Sequence, residues 1–276
     1  MTISVGKLKM RLTERSNKRG QPYDKLQTLF FLERAAVRLI ADTTLAKNLV
    51  FKGGFVSVRV YNSPRYTIDL DATLRGLERK EAESRIIESM SKPSQDGVWF
   101  SFDKLETTVH QGTYGGTRFV FRSGFDPMPA STAKCQVINI DIGTGDPVTP
   151  KPTINTTESE IAGDMLTWQV YPPETIIAEK LHTISKLGAI NSRSKDIFDI
   201  HLLCNQANPI DLQAALAATF AFRGDKLPPS LSQQLSKTDR TMLKKGWQSA
   251  AGYLGAHVDF DTAFEEVVSW LEKNRL

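Results

Sequence analysis

The chain has 276 residues, of which 40% are hydrophobic and 24% charged, so it is long enough for one large domain or two modest ones. No apolar run approaches the roughly 18 residues that a membrane span needs. The N-terminus lacks the apolar core of a signal peptide, and we therefore expect a cytoplasmic protein without membrane contact. Cys135 and Cys204 lie far apart without metal-ligand spacing, which favours a reduced compartment and no disulfide.

The formal net charge of +4 and the pI near 9.0 permit a polyanionic partner without requiring one. Basic residues concentrate in two segments, 1–20 and 223–245, where acids are sparse. Either segment alone is consistent with a solvated surface, but the pair makes contact with RNA or DNA a reasonable hypothesis. The basic residues are Lys7, Lys9, Arg11, Arg15, Lys18 and Arg19, then Arg223, Lys226, Lys237, Arg240, Lys244 and Lys245.

The first 142 residues predict alternating helices and strands, with a glycine pair after the first strand. In chain order these are helices at 4–18 and 22–42, a strand at 49–51, a brief helix after Gly53-Gly54, a strand at 67–74, a helix at 77–91, and strands at 98–111, 118–125 and 134–142. The glycines at 112, 115 and 116 predict a hairpin turn rather than a phosphate loop, because nothing helical follows them.

Residues 143–168 are rich in Gly, Pro, Thr and Asn and predict a loop or linker that leads out of the sheet. The remainder predicts helices at 173–187, 194–204, 209–221, 229–236, 238–253 and 259–273. This change predicts one domain boundary, with a sheet-containing domain at 1–165 and a helical domain at 166–276. The predicted fold class is α/β, in the α+β sense of a mixed sheet with flanking helices.

Two acids in one strand and a glycine pair predict the position of an active site. Asp69 and Asp71 are two residues apart in a strand, so their carboxylates project side by side, and a hard divalent metal between them is the usual remedy for that repulsion. Asp141 ends a strand of β-branched residues and is a candidate third carboxylate, with an ordinary strand-end acid as the alternative. Gly53-Gly54 opens a helix whose free N–H groups favour phosphate. A metal site beside a phosphate-binding turn predicts the handling of a nucleoside triphosphate.

Charged residues of two later helices could form a second set. Lys180 lies among apolar residues, which predicts a partly buried ammonium, although a surface lysine with a packed stem is the alternative. Asp196 and Asp199 are three residues apart and share a helix face. Such acids are usually solvated, but a buried lysine opposite them would form a catalytic or phosphate-binding unit. No Ser elbow, Cys-His pair or Walker lysine motif supports a serine hydrolase or a P-loop enzyme.

Four segments resemble, in the right order, the AbiEii-type nucleotidyltransferase toxins, a branch of the DNA polymerase β-like superfamily. The resemblance runs from about Gln21 to Leu203. Its segments are ERAAVRLIADTTLAKNLVFKGG before the glycines, LVFKGGFVSVRVYNSPRYTIDLDATL with Arg65, Thr67, Asp69 and Asp71, YPPETIIAEKLHTI with Ala178, Glu179 and Lys180, and SRSKDIFDIHLL with Lys195, Asp196 and Asp199.

This resemblance implies a nucleotidyltransferase-like domain and a C-terminal helical domain, with the active site in the cleft between them. The implied reaction transfers a nucleoside monophosphate from an NTP to an acceptor hydroxyl and releases pyrophosphate. Asp69 and Asp71 would hold Mg²⁺, and Asp141 would complete the metal site and activate the attacking hydroxyl. Lys180, held by Asp196, would neutralise phosphate charge. The implied nucleotide-binding set is Lys52, Gly53, Gly54, Ser57, Arg65, Lys180 and Asp199, with Arg65 either bracing its loop or reaching a phosphate.

The resemblance further implies a tRNA 3′ end as acceptor, growth inhibition or phage defence as the outcome, and a cognate antitoxin. The alternatives are a same-fold enzyme that modifies a protein or small molecule, a metal-dependent nuclease, and a non-catalytic nucleic-acid binder.

Two residues depart from the family's pattern. Phe55 stands where Ser or Thr commonly follows the glycines, so a hydroxyl to the triphosphate is missing unless Ser57 or backbone N–H groups replace it. Lys195 precedes the final motif's first Asp where Arg is more frequent, which removes bidentate geometry. Neither departure removes a carboxylate.

Overall fold

A computed structural model of the chain describes residues 4–110, 114–188, 193–247 and 258–276. The chain divides into two compact units, and each is discontinuous in sequence. The first unit comprises Met1–Val56, Tyr66–Gly145 and Ile154–Val170, and the second comprises Ser57–Arg65, Asp146–Thr153 and Tyr171–Leu276. The domain division between residues 165 and 166 stays a prediction.

The first unit contains a mixed sheet with helices, which confirms the predicted fold class. Over the described residues its strands are β1 (Leu49–Lys52), β2 (Asp69–Leu74), β3 (Val98–His110), β4 (Tyr114–Phe125), β5 (Gln136–Thr144), β6 (Thr153–Glu158) and β7 (Met165–Val170). They form one sheet in the order β3-β4-β5-β2-β1-β7-β6. The helices that precede or connect these strands are α1 (Val5–Arg19), α2 (Tyr23–Ala41), α3 (Thr43–Asn48), α4 (Gly53–Arg59) and α5 (Arg79–Ser91).

The strand register forms a row of charged residues across the middle of this sheet. Asp71 on β2 lies opposite Lys52 on the antiparallel strand β1 and opposite Asp141 on the parallel strand β5. Asp141 in turn lies opposite Arg118 on the antiparallel strand β4. Because directly opposite residues share a sheet face, the row reads Lys52, Asp71, Asp141, Arg118, with a cation at each end.

Two buried arginines of α2 form ion pairs within the first unit. Arg34 is 2% exposed and donates to both carboxylate oxygens of Asp164 at 2.7 and 2.8 Å, and to Glu33 at 2.9 Å. Arg38 donates to Asp96 Oδ1 at 3.1 Å. These are the arginines of the segment that precedes the glycine pair, so the structure gives that part of the motif a structural role.

The predicted loop at 143–168 is wrong, because it contains β6 and the start of β7. The strand β6 lies at the edge of the sheet and is Thr-rich and largely exposed, so it lacks the apolar alternation that marks a half-buried strand. Its neighbour β7 pairs in parallel with β1 through Phe51 and Val170. The hydroxyls of Thr156 and Thr167 lie 3.0 Å apart, a polar pair typical of sheet surfaces. The helix α3 is a further element that the sequence pattern missed.

The described C-terminal part of the second unit is helical, as predicted. Its helices are α6 (Pro173–Leu187), α7 (Ser194–Leu203), α8 (Pro209–Phe222), α9 (Leu231–Ser236), α10 (Arg240–Lys245) and α11 (Phe260–Lys273). The helix predicted at 238–253 is shorter, since α10 ends at Lys245 and residues 248–257 lie outside the described residues. The predicted β3–β4 hairpin is confirmed, but Gly115 and Gly116 lie within β4, opposite Val109 and Thr108, and not in the turn as predicted. Gly112 lies outside the described residues. Among the described residues, no helix combines the length and apolarity of a membrane span.

The buried pair at Arg34 gives a stability prediction. We expect Arg34→Met to destabilise the protein by roughly 3–5 kcal/mol, because it removes the guanidinium that Glu33 and Asp164 share while Glu33 remains buried. Urea unfolding followed by circular dichroism measures the loss. Arg85→Met is the matched control, because Arg85 makes ion pairs on the surface of α5 and its removal is expected to change the midpoint little. Equal midpoints for the two variants would contradict the structural role of Arg34.

Candidate functional site

Three carboxylates of the first unit meet on adjacent strands and form what we call the acidic cluster (Asp69, Asp71, Asp141). One oxygen from each residue lies within 4.8 Å of the other two. All three side chains are half-buried, whereas Leu70 and Ala72, which point to the other face of β2, are fully buried. The alternation of β2 therefore separates a core face from a face that carries charge.

Two neighbouring side chains orient two carboxylates of the acidic cluster, those of Asp69 and Asp141. Thr67 donates its hydroxyl to Asp69 Oδ1 at 2.8 Å. Arg118 donates from Nε to Asp141 Oδ1 at 2.8 Å and from Nη2 to Asp141 Oδ2 at 2.7 Å. The hydrogen bond to Asp141 raises the pKa of Arg118 above its usual range, and the nearby charge of Asp69 adds to this.

Gly53 is required where β1 turns into α4. Its φ of +70° lies in the left-handed region, and a Cβ there would lie 2.0 Å from Oδ2 of Asp71. A side chain at residue 53 would therefore collide with the carboxylate itself. The close approach of the Gly53 backbone and the Asp71 carboxylate is a defined feature of the site.

The acidic cluster fits a hard divalent cation. It offers carboxylate oxygens, which Mg²⁺ and Ca²⁺ prefer, and three like charges at this separation gain from a cation between them. Asp69 and Asp71 come from one strand, while Asp141 is shared with Arg118. The donor set thus supports metal binding without identifying the metal as magnesium.

The residues around the glycine turn have different environments. Gly54 is buried as the second residue of α4, and Lys52 ends β1 opposite Asp71. Phe55 is fully buried and contacts Trp168 edge to face, with ring centroids 5.5 Å apart. The side chain at position 55 therefore belongs to the core of the first unit, so the Phe in place of a hydroxyl serves packing. Ser57 is buried, and its carbonyl accepts from Ser63 N at 2.8 Å.

The second unit contains a buried ion network, which we define as Arg65, Lys180, Arg193, Asp196 and Asp199. Lys180 Nζ lies 3.0 Å from Asp196 Oδ1 and 2.7 Å from Asp199 Oδ2. Arg65 donates from Nε to Asp199 Oδ1 at 2.8 Å, and Arg193 from Nε to Asp196 Oδ2 at 2.7 Å. Both carboxylates are fully buried, Lys180 is 12% exposed, and Arg193 reaches solvent. Three cations thus surround two acids.

Burial and pairing act in opposite directions on the pKa values of this network. Burial alone lowers the pKa of Lys180, but the charges of Asp199 and Asp196 outweigh it, and the net pKa is raised. Burial alone raises the pKa of Asp199, but Lys180 and Arg65 lower it below the ordinary aspartate value. The network therefore stabilises the fold above the ordinary Asp pKa of about 3.9 and below the ordinary Lys pKa of about 10.4.

Three residues with direct contacts were missed or misjudged from sequence. Arg118 was given no role, because its partner depends on strand register. Thr67 was named as part of a motif without a role, although a Thr two residues before an acid can bond it locally. The expectation for Lys195 is corrected, since Lys195 is exposed while the Arg193 guanidinium contacts both oxygens of Asp196. The sequence feature that could have identified Arg193 as the partner of Asp196 is their i, i+3 spacing at a helix start.

Many residues of the two basic segments have fixed partners. In the first unit, Arg11 donates to the Ile161 carbonyl at 2.7 Å, and Arg15 and Arg19 both pair with Glu160. In the second unit, the pairs are Arg240 with Glu265 and Lys244 with Asp261. The positive charge open to a polyanion is therefore smaller than the sequence count suggests.

The chain matches the family model described as nucleotidyl transferase AbiEii toxin, type IV toxin–antitoxin system, over residues 34–268. No individual curated protein matches it. A crystal structure of a proposed nucleotidyltransferase from H. pylori superposes with a TM-score of 0.53 at 18% identity, covering 91% of this chain and 95% of that chain. The crystal structure of JHP933 from Helicobacter pylori gives 0.52 at 17% identity, covering 90% and 92%. At these identities the likeness concerns the fold.

The glycine turn gives a prediction with a matched control. We expect Gly20→Ala to lose roughly 1–2 kcal/mol of stability because of its positive φ, and Gly53→Ala to lose more, because its Cβ also collides with the Asp71 carboxylate. Only Gly53→Ala is expected to abolish Mn²⁺ binding measured by calorimetry, since a Cβ at residue 20 meets nothing within 4 Å. Undiminished Mn²⁺ binding by Gly53→Ala would show that the approach to Asp71 is unimportant.

The ion network gives a prediction about pH. We expect Lys180→Met to cost roughly 3–5 kcal/mol, because two buried carboxylates lose their common cation. Acid unfolding is then expected at higher pH, because the pKa of Asp199 rises without Lys180. Circular dichroism across a pH series measures both effects. Lys186→Met on the same helix is the control, since Lys186 pairs with Asp225 near the surface. Identical acid transitions for the two variants would contradict the prediction.

Proposed function

Because the chain belongs to the AbiEii family of nucleotidyltransferase toxins of type IV toxin–antitoxin systems, we propose that it transfers a nucleoside monophosphate from an NTP to RNA, with a tRNA 3′ end as the acceptor. The family match confirms the resemblance carried by the motifs. Membership implies an NTP substrate and an antitoxin partner. The RNA acceptor, inhibition of growth and a role in phage defence are part of the proposal.

The acidic cluster is the observation that supports this reaction best. Asp69 and Asp71 are proposed to hold Mg²⁺ through adjacent carboxylates. A bound Mg²⁺ would offset the negative charge that develops on the phosphates during transfer. Asp141 is proposed to complete the site and to activate the acceptor hydroxyl. That oxygen then forms a bond to the α-phosphorus while the bond to pyrophosphate breaks.

The remaining proposed residues bind the nucleotide. Gly53 and Gly54, without side chains, let the backbone approach phosphates, beside Lys52 and Ser57. Lys180 is proposed to neutralise phosphate charge, held in a single orientation by Asp196 and Asp199. Support for this role is that the cations of the ion network outnumber its carboxylates. Arg65 is proposed to brace its loop, because its Nε is bonded to a buried carboxylate.

An RNA acceptor is supported by charge that stays at the surface. Lys7 and Lys18 in the first unit and Lys226 and Lys237 in the second are exposed, and the net charge is +4. Exposed lysines suit a phosphate backbone, because they act as point charges that need no fixed geometry. We place the proposed reaction in the cytoplasm, where NTPs and tRNA are available.

Labelled transfer tests the proposal. The protein is incubated with an α-³²P-labelled NTP, Mg²⁺ and total tRNA, and we expect label in RNA that has grown at its 3′ end. Asp69→Asn and Asp71→Asn are expected to lower the rate at least about a hundredfold, since they remove charge stabilisation of the transition state. Asp103→Asn is the control, because Asp103 pairs with Arg122 outside the acidic cluster.

Each alternative gives a different product in the same experiment. Label on protein rather than RNA would contradict the RNA acceptor while retaining the reaction class. Shortened RNA would indicate a metal-dependent nuclease. Unchanged growth inhibition by Asp69→Asn, with its fold intact by circular dichroism, would favour a non-catalytic nucleic-acid binder.

A further inference from the structure

Arg118 contacts the acidic cluster through both oxygens of Asp141. Its Nε and Nη2 lie 2.8 and 2.7 Å from Oδ1 and Oδ2, so the pair is bidentate. The Asp141 carboxylate can accept other ligands only through its remaining lone pairs. The third carboxylate of the cluster is therefore already paired with a positive charge.

The sheet itself makes this contact. Arg118 and Asp141 are directly opposite on the antiparallel strands β4 and β5, with regular pairing on either side from Thr117 to Ser123. The side chains of such pairs lie on one face at a distance that backbone hydrogen bonds fix. Because a guanidinium does not lose its proton in proteins, this partner is charged at every working pH.

We propose that Arg118 is a positioning residue that limits the acidic cluster to one divalent ion, because its two bonds to Asp141 leave that carboxylate few lone pairs for metal. The inference rests on the proposed function, which requires a metal at this cluster. A second ion would need the remaining lone pairs of Asp141 and would lie close to the guanidinium. Repulsion between a divalent ion and a unit positive charge at about 4–5 Å weakens binding by roughly tenfold or more, even with strong screening.

This arrangement also lets the first unit form without metal. The charge of Arg118 compensates part of the repulsion among three carboxylates within 4.8 Å of one another. Without Arg118, the metal-free cluster is less stable and gains more from a bound ion. The proposal therefore connects ion stoichiometry, ion affinity and the stability of the metal-free protein.

Calorimetric titration with Mn²⁺ alone, without nucleotide, tests the proposal on the full chain. We expect the unaltered protein to bind one ion, and Arg118→Met to bind the first ion roughly tenfold more tightly and to take a second. Arg122→Met is the matched control, because Arg122 is on the same strand, is similarly exposed, and pairs with Asp103 at 2.9 Å. We expect it to leave both stoichiometry and affinity unchanged.

Two further variants separate charge from shape. Arg118→Lys keeps the charge without the bidentate fit, and we expect a single ion bound with nearly unaltered affinity. The double variant Arg118→Met with Asp141→Asn removes one charge of each sign, and one ion is again expected. Thermal unfolding adds an independent readout: Mn²⁺ should raise the midpoint of Arg118→Met more than that of the unaltered chain or Arg122→Met. This comparison stays informative for a destabilised variant.

The outcomes distinguish the inference from the function on which it rests. Two Mn²⁺ ions on the unaltered chain, or identical titrations for Arg118→Met and the unaltered chain, would overturn the role of Arg118 and leave the nucleotidyl transfer standing. Absence of Mn²⁺ binding by the unaltered chain would overturn both the inference and the proposed metal site. Loss of transfer activity with one bound ion retained would count against the proposed reaction alone.

Discussion

Keeping three carboxylates within 4.8 Å of one another is the constraint on which the centre of the first unit depends. Each added negative charge raises the cost of the others, so the surrounding structure must supply positive charge and room. The register supplies charge at both ends of the row, with Lys52 opposite Asp71 and Arg118 opposite Asp141. Gly53 supplies room, since any side chain there would occupy the position of the Asp71 carboxylate. The pairing of four strands and the conformation of one glycine together meet this electrostatic requirement.

The second unit also places neighbouring carboxylates beside cations, and here the carboxylates are fully buried. Two carboxylates that are almost inaccessible to water are each contacted by two cations, and Lys180 is common to both. Removing charges of both signs from water is expensive, so such a network is weak evidence for stability by itself. Its effect is geometric, because it ties the segment Ser57–Arg65 to α6 and α7, more than a hundred residues away in sequence. A lysine held in this way presents its charge in one place.

The sequence predicts the features that follow from local periodicity. It does not predict contacts that depend on strand register, or a polar strand at the edge of the sheet. The placement of Asp69 and Asp71 on one face follows from the two-residue repeat of a strand, and the burial of Lys180 follows from its apolar neighbours. Asp141 could be singled out as an acid among β-branched residues. Its partner Arg118 could not, because 23 residues and a hairpin separate them. The edge strand β6 has the composition of a loop, because all its residues except the exposed Ile154 are polar and no buried face reveals its alternation.

Arginine and lysine have different roles in this chain, and the difference is relevant to the proposed RNA acceptor. The arginines at 11, 15, 19, 34, 38, 65, 118 and 193 are bonded to carboxylates or carbonyls of the fold. These guanidinium groups are therefore already bonded inside the protein. The exposed cations of the two basic segments are mostly lysines, which attract phosphate without reading base edges. For the proposed RNA acceptor, the exposed lysines would favour contacts with the phosphate backbone, with a strong dependence on salt.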